Sequence, residues 1–91
     1  MTYQFKVVPS FWKKFYALPA AQKESVRRVW KIFKFDPFDP RLDTHKINSL
    51  SAEYRRTIYA VGIESDLRAV FFIRGAEVVT VDIGTHDIYK A

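Results

Sequence analysis

The chain has 91 residues and carries 15 Lys plus Arg against 10 Asp plus Glu, a formal net charge of +5. That length fits one domain spanning 1–91 and excludes a second core, since domains typically run ~100–150 residues. A hydrophobic fraction of 48% with only 3 Gly and 4 Pro excludes a disordered chain, and the lack of Cys excludes disulfides, thiolate metal sites and a cysteine nucleophile.

Tyr3 to Val8 reads as a strand, with Tyr3, Phe5 and Val7 alternating with Gln4 and Lys6. After Pro9-Ser10, Phe11, Phe15 and Leu18 recur at i, i+4 and i+7 as one face of a short helix, which Trp12 and Tyr16 widen. Pro19 interrupts that pattern and suits the first turn of a second helix. Val26, Val29, Trp30 and Phe33 give this helix its apolar face, and Lys23, Arg27, Lys31 and Lys34 give it a basic one. It should end near Asp36-Pro37, because a residue before proline is pushed out of the helical region. Arg41 to Ala52 shows no sustained period and reads as irregular structure carrying His45 and Lys46. Three strand-like runs follow, Tyr54 to Val61, Leu67 to Ile73 and Glu77 to Ile83, with separators short enough for hairpins.

The order β-α-α-β-β-β predicts an α+β domain, with a mainly antiparallel sheet and two N-terminal helices packed on one face. The other face is left for solvent or a ligand. No apolar run reaches the ~20 residues of a bilayer span, and residues 1–8 lack a signal-peptide core, so a cytoplasmic protein without membrane contact is expected. The positive charge favours an acidic partner, whether nucleic acid, protein or anionic surface.

Chemistry concentrates in the last third. Side chains alternate along a strand, so Arg68, Val70, Phe72 and Arg74 share the face opposite Leu67, Ala69, Phe71 and Ile73. A guanidinium on a central strand is a good phosphate clamp, although an arginine there also reads as part of a solvated face. The last strand runs into Gly84-Thr85-His86-Asp87-Ile88-Tyr89. His86 therefore stands where a strand stops and can move protons near neutral pH, with Asp87 as the nearest carboxylate in sequence to support it. Tyr89 offers a ring for stacking and a hydroxyl donor. A solvated tail is the competing reading of both. Trp12 and Trp30 lie on apolar helix faces and read as core. With His45 and His86 the only histidines and no clustered carboxylates, no metal site is expected.

In combination these stretches resemble the RelE/ParE superfamily of bacterial type II toxins, also called plasmid-stabilisation proteins. The resemblance runs through Phe15-Tyr16-Ala17-Leu18-Pro19, Asp36-Pro37, His45-Lys46-Ile47, Tyr54-Arg55-Arg56, Leu67-Arg68-Ala69-Val70-Phe71 and Ile83-Gly84-Thr85-His86-Asp87-Ile88-Tyr89. It implies a toxin neutralised by a cognate acidic antitoxin. In the RelE-like ribonuclease branch, it implies an mRNA interferase, a metal-independent, cofactor-free endoribonuclease that cleaves mRNA on the ribosome. Carried over, Arg68 matches the arginine that holds the scissile phosphate, His86 the C-terminal acid/base position and Tyr89 a tyrosine of the same site. Lys46, Arg55, Arg56 and Arg74 are the expected RNA contacts. The resemblance supplies no general base, Glu53 and Glu64 being the acidic candidates. The alternative it leaves open is a ParE-like toxin binding DNA gyrase, or an inactive relative acting only by binding.

Overall fold

The computed structural model describes residues 3–89. Strand β1 (Gln4–Val7) leads directly into α1 (Pro9–Tyr16), which starts on a proline whose missing N–H costs nothing in a first turn. Lys13 and Lys14 in its last turn complement the negative end of the helix dipole. Helix α2 (Ala20–Phe35) begins after Pro19, whose carbonyl accepts from Gln22 and Lys23, and it ends where Asp36 turns extended ahead of Pro37. Strand β3 (Tyr59–Glu64) forms a hairpin with β4 (Leu67–Arg74), which forms another with β5 (Glu77–Gly84), and the last two strands fall within one residue of the ranges that alternation predicts.

Two expectations need correction. The segment read as irregular contains a 3₁₀ turn (Pro40–Leu42), a two-residue strand β2 (His45–Lys46) and a third helix, α3 (Asn48–Tyr54). Tyr54, read as the start of a strand, instead closes α3, and β3 begins only at Tyr59. Arg55 stops the helix in the left-handed region at φ 56°, and Ser51 then stitches the exit. The Ser51 hydroxyl donates to Ile47 O at 2.7 Å, beside the backbone Ser51 N–H that bonds the same oxygen, and accepts the Ile58 N–H at 2.9 Å, tying the start of α3 to the residue before β3.

The sheet order is β1-β5-β4-β3-β2, with β1 parallel to β5 and the other pairs antiparallel. Its register slips between Val70 and Phe71, where β5 carries one extra residue, Val81. On one face α1 and α2 bury Phe11, Phe15, Val26 and Phe33 against Val61, Ala69, Phe71 and Val78. Phe33 meets Phe71 edge-on at a centroid distance of 5.0 Å, and each such ring contributes ~1.5–3 kcal/mol by leaving water. On the opposite face, α3 and a closing 3₁₀ turn (His86–Tyr89) cover a smaller cluster of Ile47, Leu50, Ile58, Ala60 and Val70. The face expected to be open is therefore partly roofed, and the roof's edge positions the site.

Candidate functional site

Arg68 lies opposite Gly62 on β3 and Gly84 on β5, so both cross-strand neighbours lack a side chain. A Cβ at Gly62 would come within 3.0 Å of Arg68 Nη1, which shows how closely the guanidinium lies over that strand. At Gly84 a Cβ would stand 2.6 Å from Ile88 Cγ2. Glycine there is what lets the closing turn fold back onto the sheet and carry His86 over Arg68.

The result is a linked row of side chains. Arg68 Nε and Nη2 stand 3.3 and 3.1 Å from His86 Nε2, and Nη2 also donates to Ser65 O at 3.3 Å. The other ring nitrogen, Nδ1, lies 3.0 Å from Asp66 Oδ1, and that oxygen also accepts the His86 backbone N–H at 3.3 Å. These bonds, the side-chain one first, hold the Asp66 carboxyl below its ordinary pKa. The Tyr89 ring meets the His86 ring edge-on at 5.5 Å, and Ser49 anchors the turn by donating to Tyr89 O at 3.0 Å. Burial raises the Tyr89 hydroxyl pKa, and that hydroxyl is buried without a partner among the described residues. An unpaired buried hydroxyl costs ~1–3 kcal/mol.

Arg68, His86 and Tyr89, separate in the sequence, are thus brought together. Asp66 is the residue that sequence reasoning missed. It sits in the two-residue turn between β3 and β4, and only the hairpin register places it beside a histidine 20 positions away. Asp87 makes contacts of its own.

The other expected residues lie elsewhere. Lys46 pairs with Tyr59, whose ring packs with Phe38 and Phe71 on the helix face, so Lys46 leaves the sheet opposite to Arg68. Arg55 is exposed at the end of α3. Arg56 shares Arg68's side of the sheet, its guanidinium 4.2 Å above the Phe72 ring centroid, a cation–π contact. Arg74 lies at the far end of β4, paired with Glu77 at 2.7 Å. Of the acidic candidates, Glu64 accepts from Ser25 of α2 at 2.5 Å and Glu53 is exposed on α3. No three His, Cys, Asp or Glu residues among those described cluster to hold a metal.

A second feature lies on the helices. Between α1 and α2 runs a groove of about 390 Å³ lined by Phe11, Trp12, Phe15, Val26 and Trp30, with Arg27 and Lys31 at its rim. Trp12, expected in the core, is 41% exposed there and Tyr16 66%.

No protein-family model and no curated protein matches the chain. Solved structures do. The RelE–RelB complex from Pyrococcus horikoshii OT3 aligns with a TM-score of 0.72 at 16% identity, over 93% of this chain and 96% of that one. YafQ from Escherichia coli BL21(DE3) gives 0.71 at 12% identity, over 99% and 100%. A YoeB/ParE toxin from Agrobacterium tumefaciens gives 0.69 at 15% identity, over 94% and 99%. These likenesses cover almost the whole molecule and show that the chain shares the α+β fold of these solved structures.

Proposed function

We propose that this chain is the toxin of a type II toxin–antitoxin pair and a metal-independent, ribosome-dependent endoribonuclease that cleaves mRNA and arrests translation in the cytoplasm. The observation that carries the reading is the row Asp66–His86–Arg68 with the Tyr89 hydroxyl unpaired beside it. Cleavage by a ribose 2′-OH forms a bond from O2′ to phosphorus and breaks the bond to O5′. A base takes the 2′-OH proton and an acid protonates the departing 5′-oxygen. Arg68 supplies two parallel donors for the non-bridging oxygens, where charge builds up in the transition state. His86 moves a proton, held in orientation by Asp66. Tyr89 adds a hydroxyl donor and a ring against which a base can stack.

The partner in this reading is an acidic antitoxin. The α1–α2 groove offers it exposed aromatic surface with a basic rim, and complementary charge speeds association and makes it salt-sensitive. A chain that expresses freely without a partner and leaves growth unaffected would overturn the toxin assignment.

The decisive experiment is primer extension on mRNA after brief induction of the wild type and His86→Gln. New cuts in the wild type, reduced ~10²–10⁴-fold in the variant, support the enzyme. No cuts in either, with DNA damage on induction, would replace it with a gyrase-directed toxin.

A further inference from the structure

Glu64 owes its position to a β-bulge. Gly62 stands opposite Arg68 and Glu64 opposite Leu67, so β3 carries one extra residue, Ile63, against β4. Strict alternation would put Glu64 on the same face as Gly62, beside Arg68. The bulge turns it instead to the face of its partner Leu67, which is 2% exposed in the core beneath α1 and α2. There it meets α2.

The Ser25 hydroxyl donates to Glu64 Oε2 at 2.5 Å, the length of a charge-assisted bond. A hydroxyl has a single hydrogen, and this carboxylate takes it ahead of Ala21 O at 3.3 Å. The same hydroxyl oxygen accepts from Arg28 Nη2 at 3.0 Å, so Ser25 stands between a guanidinium and a carboxylate. Ser25 is itself buried, and losing either partner would leave a buried polar group less well satisfied.

Beyond Glu64 the chain turns in two residues, and both touch the site. Ser65 O accepts from Arg68 Nη2 at 3.3 Å, and Asp66 Oδ1 takes both bonds from His86. Ser65 and Asp66 are exposed, so the turn is held from its two ends, by Leu67 in the core and by Glu64 on Ser25.

We infer that Ser25 and Glu64 are positioning residues: their hydrogen bond ties α2 to the β3–β4 turn and thereby sets where Asp66 holds the His86 ring. The effect on cleavage rests on the role proposed for His86, whereas the placement of Asp66 can be read without any reaction. The same geometry removes Glu64 from the candidates for general base, since the bulge turns its carboxylate to α2 and away from Arg68.

The test is an NMR titration of the side-chain carboxyls of the full chain, wild type beside Ser25→Ala, Glu64→Ala and Glu64→Gln. The groups facing Asp66 are His86, whose hydrogen bonds hold its carboxyl below the ordinary pKa, and Arg68. Glu77, lowered by Arg74 and Lys6 at the far end of β4, is the internal control. Ser25→Ala and Glu64→Ala should move the Asp66 midpoint up toward the ordinary carboxyl range and leave Glu77 in place. Both Glu64 variants remove the same charge, which by itself would lower a neighbouring carboxyl. Glu64→Gln keeps an oxygen for the Ser25 hydroxyl and should show no rise, so the difference between the two variants reads the lost acceptor. Primer extension should show cleavage down by the ~10²-fold of a 1 Å misplacement in the two alanine variants, and near wild type in Glu64→Gln. An unmoved Asp66 midpoint in either alanine variant, or an equal rise at Glu77, would overturn the inference. So would full cleavage in variants whose Asp66 midpoint has risen. Lost cleavage in Glu64→Gln with Asp66 unmoved would make Glu64 a proton carrier and overturn it too. A wild type that cuts nothing fails the ribonuclease reading, and the titration then decides whether Ser25 places Asp66.

Discussion

Strand β4 serves two faces of the sheet that are built in opposite ways. Leu67, Ala69 and Phe71 enter the core beneath α1 and α2, a layer packed with edge-to-face aromatic pairs. Arg68, Val70 and Phe72 enter the other face, where a seven-residue helix and one 3₁₀ turn leave Arg68 and Phe72 partly open. The difference teaches that the main core and the candidate site occupy opposite faces of one strand, with Val70 the buried residue on the site face. They should therefore separate cleanly by mutation.

The largest expected effect lies on the packed face. Phe71→Ala removes a ring that is 1% exposed and touches Phe33, Phe38 and Tyr59, so urea unfolding should show a loss of ~3–5 kcal/mol. A loss below ~1 kcal/mol would mean that this face does not carry the fold.

Three residues earlier, Arg68→Ala should do the reverse. The urea midpoint should stay nearly unchanged, while toxicity, measured as colony survival after induction, disappears. Removing one preorganised donor to a transition-state oxyanion typically costs ~2.7–4 kcal/mol of catalysis. Arg68→Lys should rescue poorly, since it keeps the charge and loses the fork. Full toxicity in Arg68→Ala would take this residue out of the site and collapse the contrast between faces.

That contrast was half legible in the sequence. Period-two alternation in 67–73 and 77–83 places Arg68 away from the helix-covered core, and the Gly-Thr break puts His86 at a strand end. Helix α3 was hidden because Asn48-Ser49-Leu50-Ser51-Ala52-Glu53-Tyr54 is two turns long with no side-chain cap at its start, too short for a period to emerge. The aromatic and basic run Tyr54-Arg55-Arg56 then imitates a strand until Arg55's left-handed backbone breaks it. The parallel pairing of β1 with β5 joins the two ends of the chain, and no local signal announces it. Asp66 was missed for the same reason. Its partner is set by hairpin register, whereas the sequence offers only the adjacent Asp87 as a carboxylate near His86.

A smaller effect tests how the roof over the site is held. Gly84→Ala puts a methyl 2.6 Å from Ile88 Cγ2, so the closing turn must shift and carry His86 and Tyr89 with it. Misplacement by about 1 Å is worth ~10²-fold in rate, so cleavage should fall by that order while the helix-face core stays intact. Near-wild-type cleavage would show that the turn's position over Gly84 is not what aligns His86.

The smallest effect compares the faces in acid. Asp39, in the loop that packs Leu42 into the helix-face core, is held at about 2 by the side-chain and backbone hydrogen bonds of Arg41. Asp66, on the site face, is lowered by its bonds to His86. In both cases the folded pKa is depressed. Each carboxylate therefore contributes stability that is complete above its unfolded value of ~4 and lost as pH falls through the folded value. Asp66 is exposed, and Asp39 is half-buried beside the exposed guanidinium of Arg41, so solvent screens both pairs and the contributions are modest. The Tm difference between wild type and Asp39→Asn should be constant above pH ~5 and close between ~4 and ~2. Asp66→Asn should show the same sign, closing as pH falls below ~4. Activity then tells the two apart: cleavage should be unchanged in Asp39→Asn and reduced ~10–100-fold in Asp66→Asn, because only Asp66 holds the ring that we propose acts on substrate. Equal cleavage in the two variants at neutral pH would make Asp66 a surface ion-pair partner and leave His86 to be oriented by Arg68 alone.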